Sequence, residues 1–205
     1  MRLVILCEGD TEERVLKDFL APYCTKFGKN VHVISSKGAG NLKNEFQTIA
    51  ELELRQDRET FVFCLIDVLN APFSFPKEVM NSTEPYEARY DYIRRYMQEL
   101  IGEELRSRFF AFPVLMELET WLLADIEALK DYFSPPPSES LRRPPNPESV
   151  INPSEELGHW MWRFRNMKYK KTLHGPKLFK LASAKRVYED NCPHFIQMIN
   201  ELLRA

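Results

Sequence analysis

Glu8 and Asp67 each close a short run of apolar residues, Leu3-Val4-Ile5-Leu6 and Phe61 to Ile66, and Glu117 and Glu119 follow another, Phe109 to Leu115. Carboxylates gathered in one place repel one another unless protonated or bridged by a cation, and hard oxygen ligands suit Mg²⁺ or Mn²⁺. Such a site can polarise a phosphoryl oxygen and activate water, the chemistry of a phosphodiester hydrolase. Each acid also has a plain structural use. Glu8 can be a turn residue beside Gly9, Asp67 a loop cap, and Glu117 and Glu119 part of a helix N-terminus favoured by its dipole. What sets the four apart is that each follows an apolar run.

A second pattern lies near the C-terminus. From Leu157 to Tyr188 the chain has no Asp or Glu, yet carries Arg163, Arg165, Lys168, Lys170, Lys171, Lys177, Lys180, Lys185 and Arg186. Trp160, Trp162, Phe164 and Tyr169 are interleaved at its start. Cations beside stackable rings are what a phosphate-backbone groove requires, so Lys168, Lys170, Lys171, His174 and Lys177 are candidate nucleic-acid contacts. The same pattern fits an amphipathic helix with its rings in the core, or a docking surface for an acidic protein. His174 can bind phosphate or cap a helix, and His194, beside Pro193, reads as structural. Gly38, Gly40 and Asn41 lack the spacing of a nucleotide-binding loop, so no ATPase is expected.

Several elements must bring these residues together. Leu3 to Leu6 reads as a strand buried on both faces, followed by a helix that Asp10 and Glu13 open and Pro22 closes. Val31 to Ile34 is a second strand, ahead of the loop Lys37 to Asn41 and a helix marked by Phe46, Ile49, Ala50 and Leu54. Phe61 to Ile66 is a third strand, Pro85 to Arg106 a long helix, Phe109 to Leu115 a fourth strand, and Glu117 to Tyr132 a helix. Strands alternating with helices predict an α/β fold: a mostly parallel four-stranded sheet flanked by helices. Ligands of such sheets bind outside the carboxyl ends of the strands, where Glu8 and Asp67 fall. Residues 1–133 form this α/β core, the Pro-rich stretch 134–152 a stiff connector, and residues 153–205 a helical C-terminal cap packed on the core. Helices are predicted there from Ser154 to Met167, Pro176 to Asp190 and Pro193 to Leu203.

With 28 basic and 30 acidic residues in 205, the net charge of −2 excludes a generic polybasic coat but not a local basic patch. No run of apolar residues approaches a membrane span, and the N-terminus has no signal-peptide core. Cys7, Cys24, Cys64 and Cys192 are scattered without a CxxC pair, which argues for buried thiols in a reducing cytoplasm rather than a zinc site or a disulfide framework.

The run Val4 to Glu13, with Glu8-Gly9-Asp10-Thr11-Glu12 at its centre, resembles the opening motif of Toprim domains, especially that of overcoming-lysogenization-defect (OLD) nucleases. Glu117-Leu118-Glu119-Thr120-Trp121-Leu122-Leu123-Ala124-Asp125 is similar to the second signature of a bacterial Toprim-like family described only as a domain of unknown function. So are Asn146 to Val150 with Asn152-Pro153, Leu173-His174-Gly175-Pro176 and Cys192-Pro193-His194-Phe195, and the resemblance therefore covers nearly the whole chain. It implies a Toprim-like fold and a Mg²⁺- or Mn²⁺-dependent nuclease acting on DNA or RNA. Glu8, Glu12 and Asp67 become the catalytic candidates, and Glu8, Asp67, Glu117 and Glu119 the metal ligands. It also implies the setting of a phage-defence or mobile-element system and a partner ATPase. The sequence departs from the Toprim pattern after Asp67: Leu69 stands where a second Asp is expected. Either Glu117 or Glu119 supplies the missing oxygen, or the chain is a catalytically decayed module that binds nucleic acid or a partner ATPase.

Overall fold

The N-terminal apolar run forms strand β1 (Arg2–Cys7), which is central because it pairs along both edges. The computed structural model describes residues 1–139, 141–189 and 192–205. β1 lies between β2 (Asn30–Ser35) and β3 (Thr60–Asp67), and β3 carries β4 (Phe109–Val114) on its far side. The order is β2-β1-β3-β4 and every pair is parallel. The four strands expected from the apolar runs are all present, in a fully parallel sheet.

Parallel neighbours cannot be joined by a tight turn, so each connection is helical. β1 leads through α1 (Asp10–Val15), a π turn (Leu16–Leu20) and α2 (Ala21–Thr25) to β2. Helix α3 (Ala39–Gln56) joins β2 to β3, and α4 (Lys77–Met80) and α5 (Pro85–Leu100) join β3 to β4. After β4 come α6 (Glu119–Ala124) and α7 (Ile126–Phe133). Beyond the Pro-rich stretch follow α8 (Pro153–Arg165), α9 (Lys171–Phe179), α10 (Ala184–Glu189) and α11 (Pro193–Arg204).

Side chains alternate across the strands and fill two cores. Leu3, Ile5, Phe63, Leu65 and Phe112 join α6 to α11 on one face, including Leu157, Phe179 and Phe195, whereas Val4, Leu6, Val62 and Cys64 meet α3 and α5 on the other. The C-terminal helices thus share a core with the sheet, and Trp121 packs edge-on against Phe195 at 4.8 Å.

Five local expectations are corrected. Pro22 does not close the first helix; the wider π turn before it lets the chain continue to Thr25 despite the proline's missing N–H. Gly40 and Asn41 belong to α3, not to a loop. The helix expected over Glu117 to Tyr132 is interrupted at Asp125, whose carboxylate caps α7 through Ala128 N–H and also accepts from Ser183 N–H and Arg186 Nε, tying α7 to α10. Pro176 lies inside α9 rather than at the start of a helix, and the segment expected from Pro176 to Asp190 is broken between Phe179 and Ala184 into α9 and α10; its end at Asp190 lies outside the described residues. The long helix opened by Pro85 ends at Leu100, short of Arg106.

At the start of α11, buried Glu148 accepts the N–H groups of His194 and Phe195 and pairs with His194 Nδ1 at 2.9 Å. His194 Nε2 faces Glu87 at 3.1 Å. Burial works against charge on this ring, but the two carboxylates outweigh it and raise the imidazole above its usual value. Its contribution to stability is therefore full below about pH 6.5 and is lost as pH rises through the higher folded-state value. The urea midpoint is expected to fall between pH 6 and pH 8.5, with this component of the slope absent in His194→Gln.

Candidate functional site

Neighbouring parallel strands run about 4.8 Å apart, so the carboxyl ends of β1, β3 and β4 form a short common rim. Glu8 leaves β1 at that rim, Asp67 ends β3, and Glu117 and Glu119 follow β4. Asp67 continues the alternation of Phe63 and Leu65, which turns its side chain towards the face covered by the C-terminal helices. Glu8 Oε1 accepts the N–H of Asp67 at 2.7 Å, locking the first two strand ends together.

Two backbone features bring in the other acids. Helix α1 begins directly after Gly9, and a Cβ on Gly9 would stand 2.9 Å from Glu12 Oε2, so glycine leaves the Glu12 carboxylate its place. Met116 is buried and left-handed at φ +67°, a costly conformation for a long side chain. It reverses the chain between β4 and α6, and its carbonyl accepts Leu69 N–H at 3.1 Å, so the turn that presents Glu117 and Glu119 is fastened to the end of β3.

The ammonium of Lys171 sits among these carboxylates. Its Nζ is 3.2 Å from Asp67 Oδ2, 3.2 Å from Glu119 Oε2, 3.6 Å from Glu117 Oε1 and 3.9 Å from Glu12 Oε1. Lys171 is the first residue of α9, delivered by a turn in which left-handed Asn166 ends α8. Tyr169 OH donates to Glu119 Oε1 at 3.0 Å, and Ser154 N–H donates to Glu117 Oε2 at 3.3 Å.

Burial dominates the electrostatics. It pushes the Asp67 carboxyl well above the usual range, against the pull of Lys171, and it raises Glu8 and Glu119 in the same direction. Burial also opposes charge on Lys171, but Asp67, Glu119, Glu117 and Glu12 together hold that amine above its ordinary value, so it stays protonated. The Tyr169 phenol is raised by burial and by the Glu119 beside it.

The chain matches the family model "Domain of unknown function (DUF4276)" over residues 7–203. It belongs to that family. Among solved structures, this DUF4276 chain is similar to the C-terminal region of the Burkholderia pseudomallei OLD protein, at 16% identity over 98% of this chain and 96% of that one, with a TM-score of 0.46. It is also similar to the C-terminal region of the Xanthomonas campestris pv. campestris OLD protein, at 18% identity over 99% and 92% of the two chains, with a TM-score of 0.38. No curated protein matches it.

In this DUF4276 chain the donor set is chemically suited to a hard divalent cation: five carboxylates, among them Glu119, whose buried Oε2 is ion-paired but makes no hydrogen bond. Among the described residues, no three such side chains are arranged to hold an ion as they stand, and the Lys171 ammonium lies between them instead.

The acids expected from the strand ends and the opening motif, Glu8, Glu12, Asp67, Glu117 and Glu119, all meet at this rim. The basic candidates do not stay together. Lys168, Lys170 and Lys177 are exposed, whereas Lys171 points into the acids rather than outwards. His174 is buried, and its Nδ1 accepts Lys170 N–H at 2.8 Å, so it caps the start of α9 rather than contacting phosphate. The acid-free stretch also finds its acids elsewhere in the fold: Arg163 pairs with Glu139, Arg186 with Asp125 and Lys180 with Asp18. Trp160, Phe164 and Tyr169 pack against the core; Trp162 alone of the interleaved rings is exposed, at 65%.

Two residues complete the site that the sequence pattern alone places on a basic and aromatic surface: Tyr169, the donor to Glu119, and Lys171, the counter-charge. Beside the cluster opens a groove of about 620 Å³, between α8 and the Met167–Lys171 segment, lined in part by Gly158, Trp162, Met167, Lys168, Tyr169 and Lys171.

Proposed function

We propose that this chain is a Mg²⁺- or Mn²⁺-dependent phosphodiesterase acting on nucleic acid. The observation that carries the reading is the convergence of five carboxylates from three separate segments at the carboxyl edge of the sheet, around a single ammonium. A structural salt bridge needs one acid for one base; a surplus of acids at a strand-end rim is what a divalent cation requires.

Glu8, Asp67 and one or both of Glu117 and Glu119 would hold the cation, with Glu119 or Glu117 supplying the oxygen that Leu69 cannot. When bound, the cation would polarise a phosphoryl oxygen and lower the pKa of attacking water. Glu8, held by Asp67 N–H, orients that water or gives a proton to the leaving oxygen, and Glu12 stands next to it as a second acid. Lys171 is placed to exchange its carboxylate partners for the phosphate of the strand. Lys168, Lys170 and Lys177, all exposed, hold flanking phosphates. A phage-defence or mobile-element setting, with a partner ATPase, fits the same reading.

Two observations favour a second reading, in which the chain is a decayed module that binds nucleic acid or a partner ATPase without cutting. Leu69 occupies the place of an acid, and Lys171 already neutralises the cluster. Incubation of the purified chain with end-labelled single- and double-stranded oligonucleotides separates the two. Cleavage that appears with Mg²⁺ or Mn²⁺ and stops with EDTA is expected. No cleavage with either ion, or cleavage indifferent to EDTA, contradicts the first reading.

A further inference from the structure

The groove beside the acid cluster has features that the phosphodiesterase reading does not use. Trp162 is a large ring left 65% exposed, and Met167 is 50% exposed. Both line the same 620 Å³ opening, a volume in the range of small-ligand sites. Its wall on α8 includes Gly158, a glycine inside a 13-residue helix, where it costs about 1 kcal/mol relative to alanine. The backbone does not demand glycine there: its φ is ordinary, and an added Cβ would meet nothing closer than Tyr169 Cβ at 3.8 Å. What glycine provides at this position is room in the groove.

The groove is continuous with the acid site. Tyr169 and Lys171 line it, and the same two side chains reach Glu119, Tyr169 through its hydroxyl at 3.0 Å and Lys171 through its ammonium at 3.2 Å. Lys168 adds an exposed cation at the margin. A ligand entering here meets the Trp162 ring, the Met167 thioether and the slot over Gly158, with Glu155 and His159 also on the α8 wall and the Lys171 ammonium at the end that joins the carboxylates. A nucleobase attached to a phosphate has that same order of chemistry: a π-face for the ring, then an anion a few ångströms on. A base paired within a duplex has no free face to offer the slot.

We propose that the groove between α8 and the Met167–Lys171 segment holds one unpaired base of a nucleic-acid strand, stacked on Trp162, next to the phosphodiester presented to the acid cluster. The preferred substrate is therefore single-stranded, or frayed at the site of attack. This rests on the phosphodiesterase reading for the identity of the neighbouring site, but is tested by binding alone.

The test uses fluorescein-labelled 12-mers of one mixed sequence, as single-stranded DNA, single-stranded RNA and DNA duplex, titrated by anisotropy in EDTA so that nothing is cut. Wild type, Trp162→Ala and Gly158→Leu are compared, with circular dichroism to confirm that the helices are intact; Trp162 is exposed, so its removal leaves the core untouched. Expected are tighter binding of a single strand of either sugar than of duplex, and a loss of about 5- to 100-fold in Trp162→Ala, the worth of one stacked base. That loss should persist at 0.3 M salt, where phosphate contacts weaken. Gly158→Leu, which fills the slot and leaves Trp162 in place, should weaken binding comparably. Equal affinity for duplex, no binding of any strand by wild type, or unchanged affinity in Trp162→Ala would each overturn the proposal. The two claims fail separately: binding in the groove without cation-dependent cleavage sinks only the enzymatic reading, and cleavage indifferent to Trp162 and Gly158 sinks only the groove.

Discussion

Glu8→Gln is expected to fold like the wild type and to lose at least about 100-fold of its cation-dependent cleavage rate, the lower end of what a positioned acid or base contributes. The structural part of Glu8 survives the change. Its Oε1 accepts the N–H of Asp67, and a glutamine carbonyl oxygen accepts that bond equally well. What disappears is the charge, and with it the capacity to take a proton or to pull on a cation. Burial pushes the Glu8 carboxyl upward against the opposing bond from Asp67 N–H, so it holds a proton more readily than an exposed glutamate does. An end-labelled oligonucleotide assay beside a urea denaturation curve reads both halves. A rate equal to wild type removes Glu8 from the chemistry, and a large loss of stability assigns it to the fold.

Lys171→Met should do the opposite, with a large effect on stability that a divalent cation repairs. One ammonium lies within 3.9 Å of four carboxylates, three of which, Asp67, Glu117 and Glu119, are buried. Removing one partner of a buried ion pair costs about 3–5 kcal/mol, because the remaining charge has neither water nor counter-ion. Lys171 keeps 31% of its side chain exposed, so about 2–4 kcal/mol is the appropriate expectation, or roughly 4–16 °C in Tm for a chain of this size. The acids left behind form a site with no resident cation. Millimolar Mn²⁺ should therefore raise the melting temperature of Lys171→Met more than that of wild type, in which the ammonium competes for the same oxygens. Equal melting temperatures in EDTA would mean that Lys171 does not neutralise the cluster. An equal response to Mn²⁺ would mean that the acids cannot take an ion in its place.

These expectations rest on residues of unequal legibility. The strands were readable because a parallel sheet buries both faces: Leu3 to Leu6 and Phe61 to Ile66 are continuous apolar runs whose polar ends mark the rim. Glu8 and Asp67 could be placed from those ends alone. Helix interruptions were not readable, since they depend on distant partners. Asp125 breaks the α6–α7 segment while holding Ser183 and Arg186, far along the chain. Pro176 is tolerated inside α9 rather than opening a helix, which no local propensity indicates. The basic tail misled for a related reason. Charge segregation along the chain is not charge segregation in space, and Glu139, Asp125 and Asp18 come from elsewhere to pair with Arg163, Arg186 and Lys180. Lys171 was indistinguishable from Lys168 and Lys170 by composition. Only the left-handed turn at Asn166 and the start of α9 turn it towards the acids.

A direct test of the cation site is titration of the wild-type chain with Mn²⁺ at neutral pH, read by the loss of the free-ion electron paramagnetic resonance signal, alongside Asp67→Asn and Glu119→Gln. Expected is saturable uptake of Mn²⁺ by wild type that each substitution weakens at least about tenfold, since each removes a hard anionic oxygen from the rim. Uptake unaffected by either substitution, or no uptake by wild type at millimolar Mn²⁺, would contradict the claim that these carboxylates gather to hold a metal ion.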